Sequence, residues 1–286
     1  MSQIKIGVIG GSGLYEMEGL KILEEKTVDT PFGKPSDAII IGELEGQKVA
    51  FLPRHGRGHM ISPSEINFRA NIYALKLLGV ERIFSVSAVG SMKEEIAPGD
   101  MIIVDQFIDR TRSRPYTFFE KGIVAHVSFA DPVCPDLFNT AFKASQKVGA
   151  KTHKGGTYVC IEGPMFSSRA ESKLYRSWGV DVIGMTNLQE AKLAREAEIC
   201  YITIALSTDY DCWHESEEAV DVSMVMAIVQ KNVATAKAII REAVTNLPKK
   251  RNCSCGKVLE NAIMTDRKKI GPEVKKRLEA IAGKYL

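Results

Sequence analysis

Short apolar runs rich in β-branched residues alternate with amphipathic stretches along most of the chain, and this alternation restricts the fold more than any other feature. The runs fall at 4–9, 38–41, 49–52, 82–88, 101–105, 158–161, 180–183 and 200–206. Such segments suit strands whose two faces are both covered. Between them, 66–78, 137–148, 169–178, 189–196 and the long 222–244 repeat apolar residues at three- and four-residue steps, the period of a helix with one buried face. Strand alternating with helix predicts an α/β fold, a central and mostly parallel or mixed β-sheet flanked by helices. With 286 residues, 45% apolar and 26% charged, the chain can bury a core of that kind.

No domain-sized shift in composition precedes Pro248, so 1–247 reads as one domain. After it, Lys249-Lys250-Arg251 and Asn252-Cys253-Ser254-Cys255-Gly256 read as a connector. It leads into a basic C-terminal extension, 248–286, expected to end in a helix packed on the same domain. The clusters Arg267-Lys268-Lys269 and Lys275-Lys276-Arg277 fit a solvated helix face. Thirty-eight basic and 35 acidic side chains leave a net charge of +3, too little for a nucleic-acid footprint. No apolar run approaches the ~20 residues that cross a bilayer, and the first residues lack the layout of a secretion signal. A cytoplasmic protein with no membrane or nucleic-acid partner is expected.

Six cysteines stand at 134, 160, 200, 212, 253 and 255. Cys160, Cys200 and Cys212 lie among apolar neighbours and read as reduced, unliganded thiols. Cys253 and Cys255 are spaced CxC rather than the CxxC common in zinc sites, so no metal site is expected. A disulfide involving that pair stays open as an alternative.

Chemistry concentrates in four segments. Gly10-Gly11-Ser12-Gly13 follows the first strand, where glycines let backbone N–H groups approach an anion. The dinucleotide pattern would need glycine at 16, where Glu16 stands, and no Gly-Lys-Ser/Thr follows, so the loop is either a phosphate cradle of another kind or a tight turn. Pro53-Arg54-His55-Gly56-Arg57-Gly58-His59 places an arginine fork beside an imidazole, a sensible phosphate grip. Ser85-Val86-Ser87-Ala88-Val89-Gly90-Ser91 ends a strand in small residues, suited either to donate to an anion or to pack closely. Ser207-Thr208-Asp209-Tyr210-Asp211 puts two carboxylates two residues apart past a strand end. In extended geometry both face one way and line one pocket; an acidic turn is the alternative.

Gly-Gly-Ser-Gly-Leu at 10–14, Pro-Arg-His-Gly-Arg at 53–57, Ile-Asp-Arg-Thr at 108–111, Gly-Pro-Met-Phe-Ser-Ser-Arg-Ala-Glu at 163–171, Gly-Met-Thr-Asn at 184–187 and Thr-Asp-Tyr-Asp-Cys-Trp at 208–213 occur in that order. Together they resemble the trimeric purine nucleoside phosphorylase family, in its branch acting on 5′-methylthioadenosine, to about Leu247. The resemblance implies a nucleoside phosphorylase-type fold. It implies phosphate held by Ser12, Arg54, His55, Ser87, Ala88 and Thr186, with Met185 under the ribose, Phe166 and Ser167 beside the substrate, and Asp209 and Asp211 on the base edge. His59, Val222, Val225 and Met226 match positions near the 5′ substituent. Met165, Asn187 and Gln189 depart from the family pattern. A homotrimer or a dimer of trimers is implied, a neighbour's segment completing the pocket.

The chemistry these residues would serve is attack of inorganic phosphate on C1′ as the purine departs. Asp209 would donate to N7 while its other oxygen accepts from the 6-amino group, and Asp211 would orient it. Adenine presents donors where a 6-oxopurine presents an acceptor, so carboxylates favour adenine. Phosphate is a co-substrate, and no cofactor or metal is called for. The rivals are a 6-oxopurine or methylthioinosine phosphorylase, a nucleosidase that uses water, and a non-catalytic nucleoside-binding protein.

Overall fold

The computed structural model describes residues 4–11, 13–14, 16–214 and 222–286, in backbone only at 222–227. In chain order, β1 (Ile6–Gly10), β2 (Lys21–Lys26), β3 (Ile39–Leu44) and β4 (Gln47–Pro53) precede helix α1 (Phe68–Leu77). Then come β5 (Arg82–Ser91), β6 (Met101–Val104), β7 (Gln106–Arg110), α2 (Pro135–Lys147), β8 (Thr152–Lys154), β9 (Thr157–Ile161) and α3 (Arg169–Ser177). The body closes with β10 (Val182–Gly184), α4 (Asn187–Glu196), β11 (Cys200–Asp209) and α5 (Val222–Thr245), and the tail carries α6 (Pro272–Arg277) and α7 (Glu279–Ala282).

Among the described residues the 11 strands form one mixed sheet, ordered β2-β3-β4-β1-β5-β10-β9-β7, with β11 joining β5 to β6 and β6 joining β8. β1 is buried along its whole length and β11 up to its last residue, as strands covered on both faces must be. Alternate residues of one strand serve opposite layers. Ile83 packs with α1, α4 and the tail, whereas Phe84 and Val86 pack with α2 and α5. The expected strands and helices of the body are all present. β2, with the sequence KILEEK, is exposed throughout and is held by pairing with β3; its charges suit a sheet edge and hide it from an apolar pattern.

The tail differs from the single helix expected of it. It breaks into 3₁₀ turns at Ser254–Lys257, Arg267–Lys269 and Gly283–Tyr285 and two short helices. Gly271-Pro272 supplies one break, because proline gives no N–H to a preceding turn. Leu259, Ile270, Val274, Leu278 and Ile281 pack into the same core as α1 and α4, and Arg267, Lys268 and Lys269 face solvent. No helix among the described residues is long and apolar enough to cross a membrane.

Candidate active site

β4, β1, β5 and β11 run in one direction, so Arg54, Gly10, Ser87-Ala88 and Asp209 gather at their carboxyl ends, where open α/β sheets collect ligands. β5 pairs with β1 over residues 82–85 and with β10 only at Gly90 and Ser91. Between those pairings the neighbours diverge. Ala88 is exposed there between buried Ser87 and Val89, and the Val86 carbonyl accepts a side-chain donor.

That donor is Arg54. Its backbone N–H bonds the Gly10 carbonyl at 2.8 Å, tying the end of β4 to the end of β1. Its guanidinium is buried, with Nη1 donating to the Val86 carbonyl (2.8 Å), Nη2 to Ser85 Oγ (2.6 Å), and Nε and Nη2 to the two oxygens of Glu190 (2.5 and 3.2 Å). Burial opposes the charge, but the Glu190 carboxylate outweighs it and raises the arginine's pKa. Next to it, His55 is driven down to about 4 by burial and by the Arg54 charge. Its Nδ1 lies 2.8 Å from the Ile61 carbonyl, which only an N–H can face productively, so the neutral ring carries its lone pair on Nε2. His59, exposed and at φ 56°, stacks on His55 with centroids 4.2 Å apart.

Thr186 occupies the N-cap position of α4 without capping it, which leaves its hydroxyl off the backbone at the positive end of a helix. Its amide faces the hydroxyl of Tyr158 at 3.4 Å, and that phenol also lies beside the Ser87 side chain. Tyr158 thus bridges two of the residues expected at phosphate. A Cβ on Gly184 would stand 2.0 Å from the Tyr158 oxygen, so only glycine admits the bridge. Ser12 lies outside the described residues, as do the side chains of Val222, Val225 and Met226.

The end expected to face the base is built around Asp209. The β11–β5 register slips between Ser207 and Asp209, a bulge that aligns Asp209 with Gly90. Thr208 Oγ1 donates to Asp209 Oδ2 at 2.7 Å and the Asp211 amide to Oδ1 at 2.8 Å. A Cβ on Gly90 would come within 3.0 Å of Asp209 Oδ1 and of Ile183 Cγ2. Asp211 departs from the extended geometry expected of it: it sits at φ 52° and begins the 3₁₀ turn Asp211–Trp213. Its buried carboxylate takes the hydroxyls of Ser167 (3.0 Å) and Ser172 (2.5 Å). The two carboxylates do not point alike. Asp211 anchors the α3 end and supports Asp209 through its amide.

Phe166, 69% exposed, precedes Ser167 on the segment leading into α3. Met185 lies against Gly163, where a Cβ would meet its sulfur at 2.5 Å. Arg114 braces this wall, donating to Glu162 Oε1 (3.0 Å) and to the carbonyls of Met185 and Glu162. Asn187 and Gln189 are both buried: Asn187 donates to Ser85, Tyr201 and Thr203, and Gln189 to Thr111, so each supports the site from behind.

Glu190, Tyr158, Arg114 and Ser172 escaped the sequence reading. For Glu190 a signal existed. It shares the i, i+3, i+4, i+7 face with Asn187, Ala191 and Ala194, and a carboxylate on a buried face demands a cation. The other three are brought in by tertiary contacts alone.

The model of the Phosphorylase superfamily matches residues 5–245. The chain is 61% identical over 287 positions to the S-methyl-5′-thioadenosine phosphorylase of Geobacter sulfurreducens, covering 100% of both chains. It is 57% identical to that of Koribacter versatilis, covering 99% of this chain and 97% of the other. Among solved structures, a methylthioadenosine phosphorylase from an antarctic soil metagenomic library superposes with a TM-score of 0.92 at 49% identity, over 98% of this chain and 99% of that one. The Schistosoma mansoni methylthioadenosine phosphorylase in complex with adenine gives 0.80 at 37%, over 85% and 91%.

Proposed function

Because the chain belongs to the phosphorylase superfamily, we propose that it is an S-methyl-5′-thioadenosine phosphorylase, cleaving 5′-methylthioadenosine with inorganic phosphate to adenine and 5-methylthioribose 1-phosphate. The observation that carries this reading is the placing of two unlike groups at the carboxyl ends of one parallel run of strands, β4-β1-β5-β11: the buried guanidinium of Arg54, just after β4, and the carboxylate of Asp209, at the end of β11.

Phosphate sits among Arg54, Ser87, Ala88, Thr186 and the Gly10-Gly11-Ser12 loop. It draws on directed N–H and O–H donors and the positive end of α4 more than on net charge, since Glu190 already offsets the arginine. His55, neutral and with Nε2 as acceptor, takes a proton-bearing oxygen of the anion. Attack forms the bond from a phosphate oxygen to C1′ and breaks the C1′–N9 bond, and the electron pair of that bond leaves with the purine. Asp209 shares a proton with N7 of the departing base and accepts from the 6-amino group, help of a kind worth about 10²–10⁴-fold. Phosphate is the nucleophile, so the reaction balances with no cofactor.

Met185 lies under the ribose, Phe166 and Ser167 flank the substrate, and His59 and the helix from Val222 line the 5′ end. The exposure of Phe166 in a single chain accords with a homotrimer, or a dimer of trimers, in which a neighbour completes the pocket. Initial rates on methylthioadenosine, methylthioinosine and inosine test base choice: methylthioadenosine is expected to lead, and dominant inosine cleavage would overturn the assignment of Asp209 to a 6-amino group.

A further inference from the structure

Four of the six cysteines meet far from this site. Cys134 stands at the N-cap position of α2, Cys200 opens β11, and Cys253 and Cys255 come from the connector to the tail. Their sulfurs all lie within 4.8 Å of one another, and Cys200 and Cys253 are 3.4 Å apart. A tetrahedral Zn²⁺ with four thiolates at about 2.3 Å sets its sulfurs about 3.8 Å apart, inside that span. Cys134, Cys200 and Cys255 are buried and Cys253 is half-buried, and a cavity of about 10 Å³ opens onto Cys134, Cys200 and Cys253.

We propose that Cys134, Cys200, Cys253 and Cys255 bind one zinc ion as a structural tetrathiolate site. Sequence spacing hid it, since CxC supplies only half the ligands and the others lie 119 and 53 residues before Cys253 (253 − 134 and 253 − 200). All-thiolate sets select zinc or another soft metal. Binding releases four protons: Zn²⁺ and four thiols give a Zn(SR)₄ centre of charge −2. Two cations stand ready to offset it, Arg195 with Nη1 4.0 Å from the Cys255 sulfur, and Arg251 beside Cys200. Further contacts hold the ligand segments. The Cys134 amide bonds the Tyr201 carbonyl at 3.0 Å, and Arg251 Nη1 bonds the Glu198 carbonyl at 2.8 Å.

β11 carries Cys200 at its start and Asp209 at its end, and this ten-residue strand sets them roughly 30 Å apart. The metal therefore serves stability. It ties the tail, whose apolar residues complete the α1–α4 core, to the sheet and α2.

The test is the metal content and thiol count of the full-length protein, purified without chelator, beside Cys134→Ala and Cys255→Ser. The wild type is expected to hold about one zinc per chain, released when the thiols are titrated with a mercurial. Both variants should lose it and melt at lower temperature, with unchanged kcat where folded. Cobalt substitution should give the visible bands of a tetrahedral thiolate centre. Cys134–Cys200 and Cys253–Cys255 in disulfides, or four free thiols that take up no added zinc, would overturn the proposal.

Discussion

The guanidinium of Arg54 and the carboxylate of Glu190 meet in the interior, Nε to Oε1 at 2.5 Å, with side chains 3% and 1% exposed. On the proposed assignment, a phosphate arriving here would meet an arginine already neutralised and held in one orientation by Ser85 and Val86. Selection by direction rather than by raw charge follows, because a planar fork presents its remaining N–H in a fixed line.

Removing Glu190 should therefore cost stability first. Glu190→Ala leaves a buried cation without its partner, and such losses run to about 3–5 kcal/mol. Phosphate supplies a replacement anion, so it should raise the variant's Tm more than the wild type's. Thermal melts with and without phosphate check this; equal shifts in both proteins would mean that Arg54 does not touch the anion.

Glu196 gives a pH signature. Burial against the 117–119 turn raises its pKa to about 7, although the Phe118 amide and the Thr117 hydroxyl both donate to it. Its folded pKa lies above the unfolded value, so its contribution is fully present below about pH 4.5 and is lost as pH rises towards 7. Glu196→Gln, which keeps both contacts by turning the Thr117 hydroxyl, should stabilise the protein at pH 8 by about 1–3 kcal/mol and change little at pH 4.5. Melting curves at the two pH values read the difference.

At the base end, geometry rather than charge is at stake. Gly90→Ala would push on Asp209 Oδ1 and Ile183, each 3.0 Å from the added carbon. A displacement of up to 1 Å can cost about 10²-fold in rate. Ser172→Ala would remove the shorter of the two hydroxyl bonds to Asp211 Oδ2, leaving only that from Ser167, and loosen Asp209 through the Asp211 amide. Both variants should lower kcat and leave the KM for phosphate within about twofold, since the Arg54 pocket is untouched. A rise in that KM alone would contradict the separation of the two pockets.

The sequence made the body of the fold readable because its strands are buried on both faces and its helices on one, and burial writes apolar periodicity. β2 broke that rule by lying exposed at an edge, and the tail broke it because Gly271-Pro272 interrupts a helical pattern. Arg54 and Asp209 were legible as unusual residues at strand ends. Tyr158 and Ser172 were not, because what singles them out is a partner 28 and 39 residues away, whereas Glu190 was marked locally, as a carboxylate on the apolar face of α4. The turn at Asp211 was missed for a local reason, a left-handed φ that aspartate tolerates and alternation does not reveal.

The central claim is that an Arg54-centred anion pocket feeds an Asp209-centred base pocket, and one measurement addresses both: adenine release from methylthioadenosine, with phosphate present and with phosphate rigorously removed, in the wild type and in Asp209→Asn. Release that requires phosphate and falls by about 10²-fold or more in the variant is the predicted result. Undiminished release without phosphate would make the chain a hydrolase and contradict the assignment of the Arg54 pocket, and full activity in Asp209→Asn would contradict the role of its carboxylate.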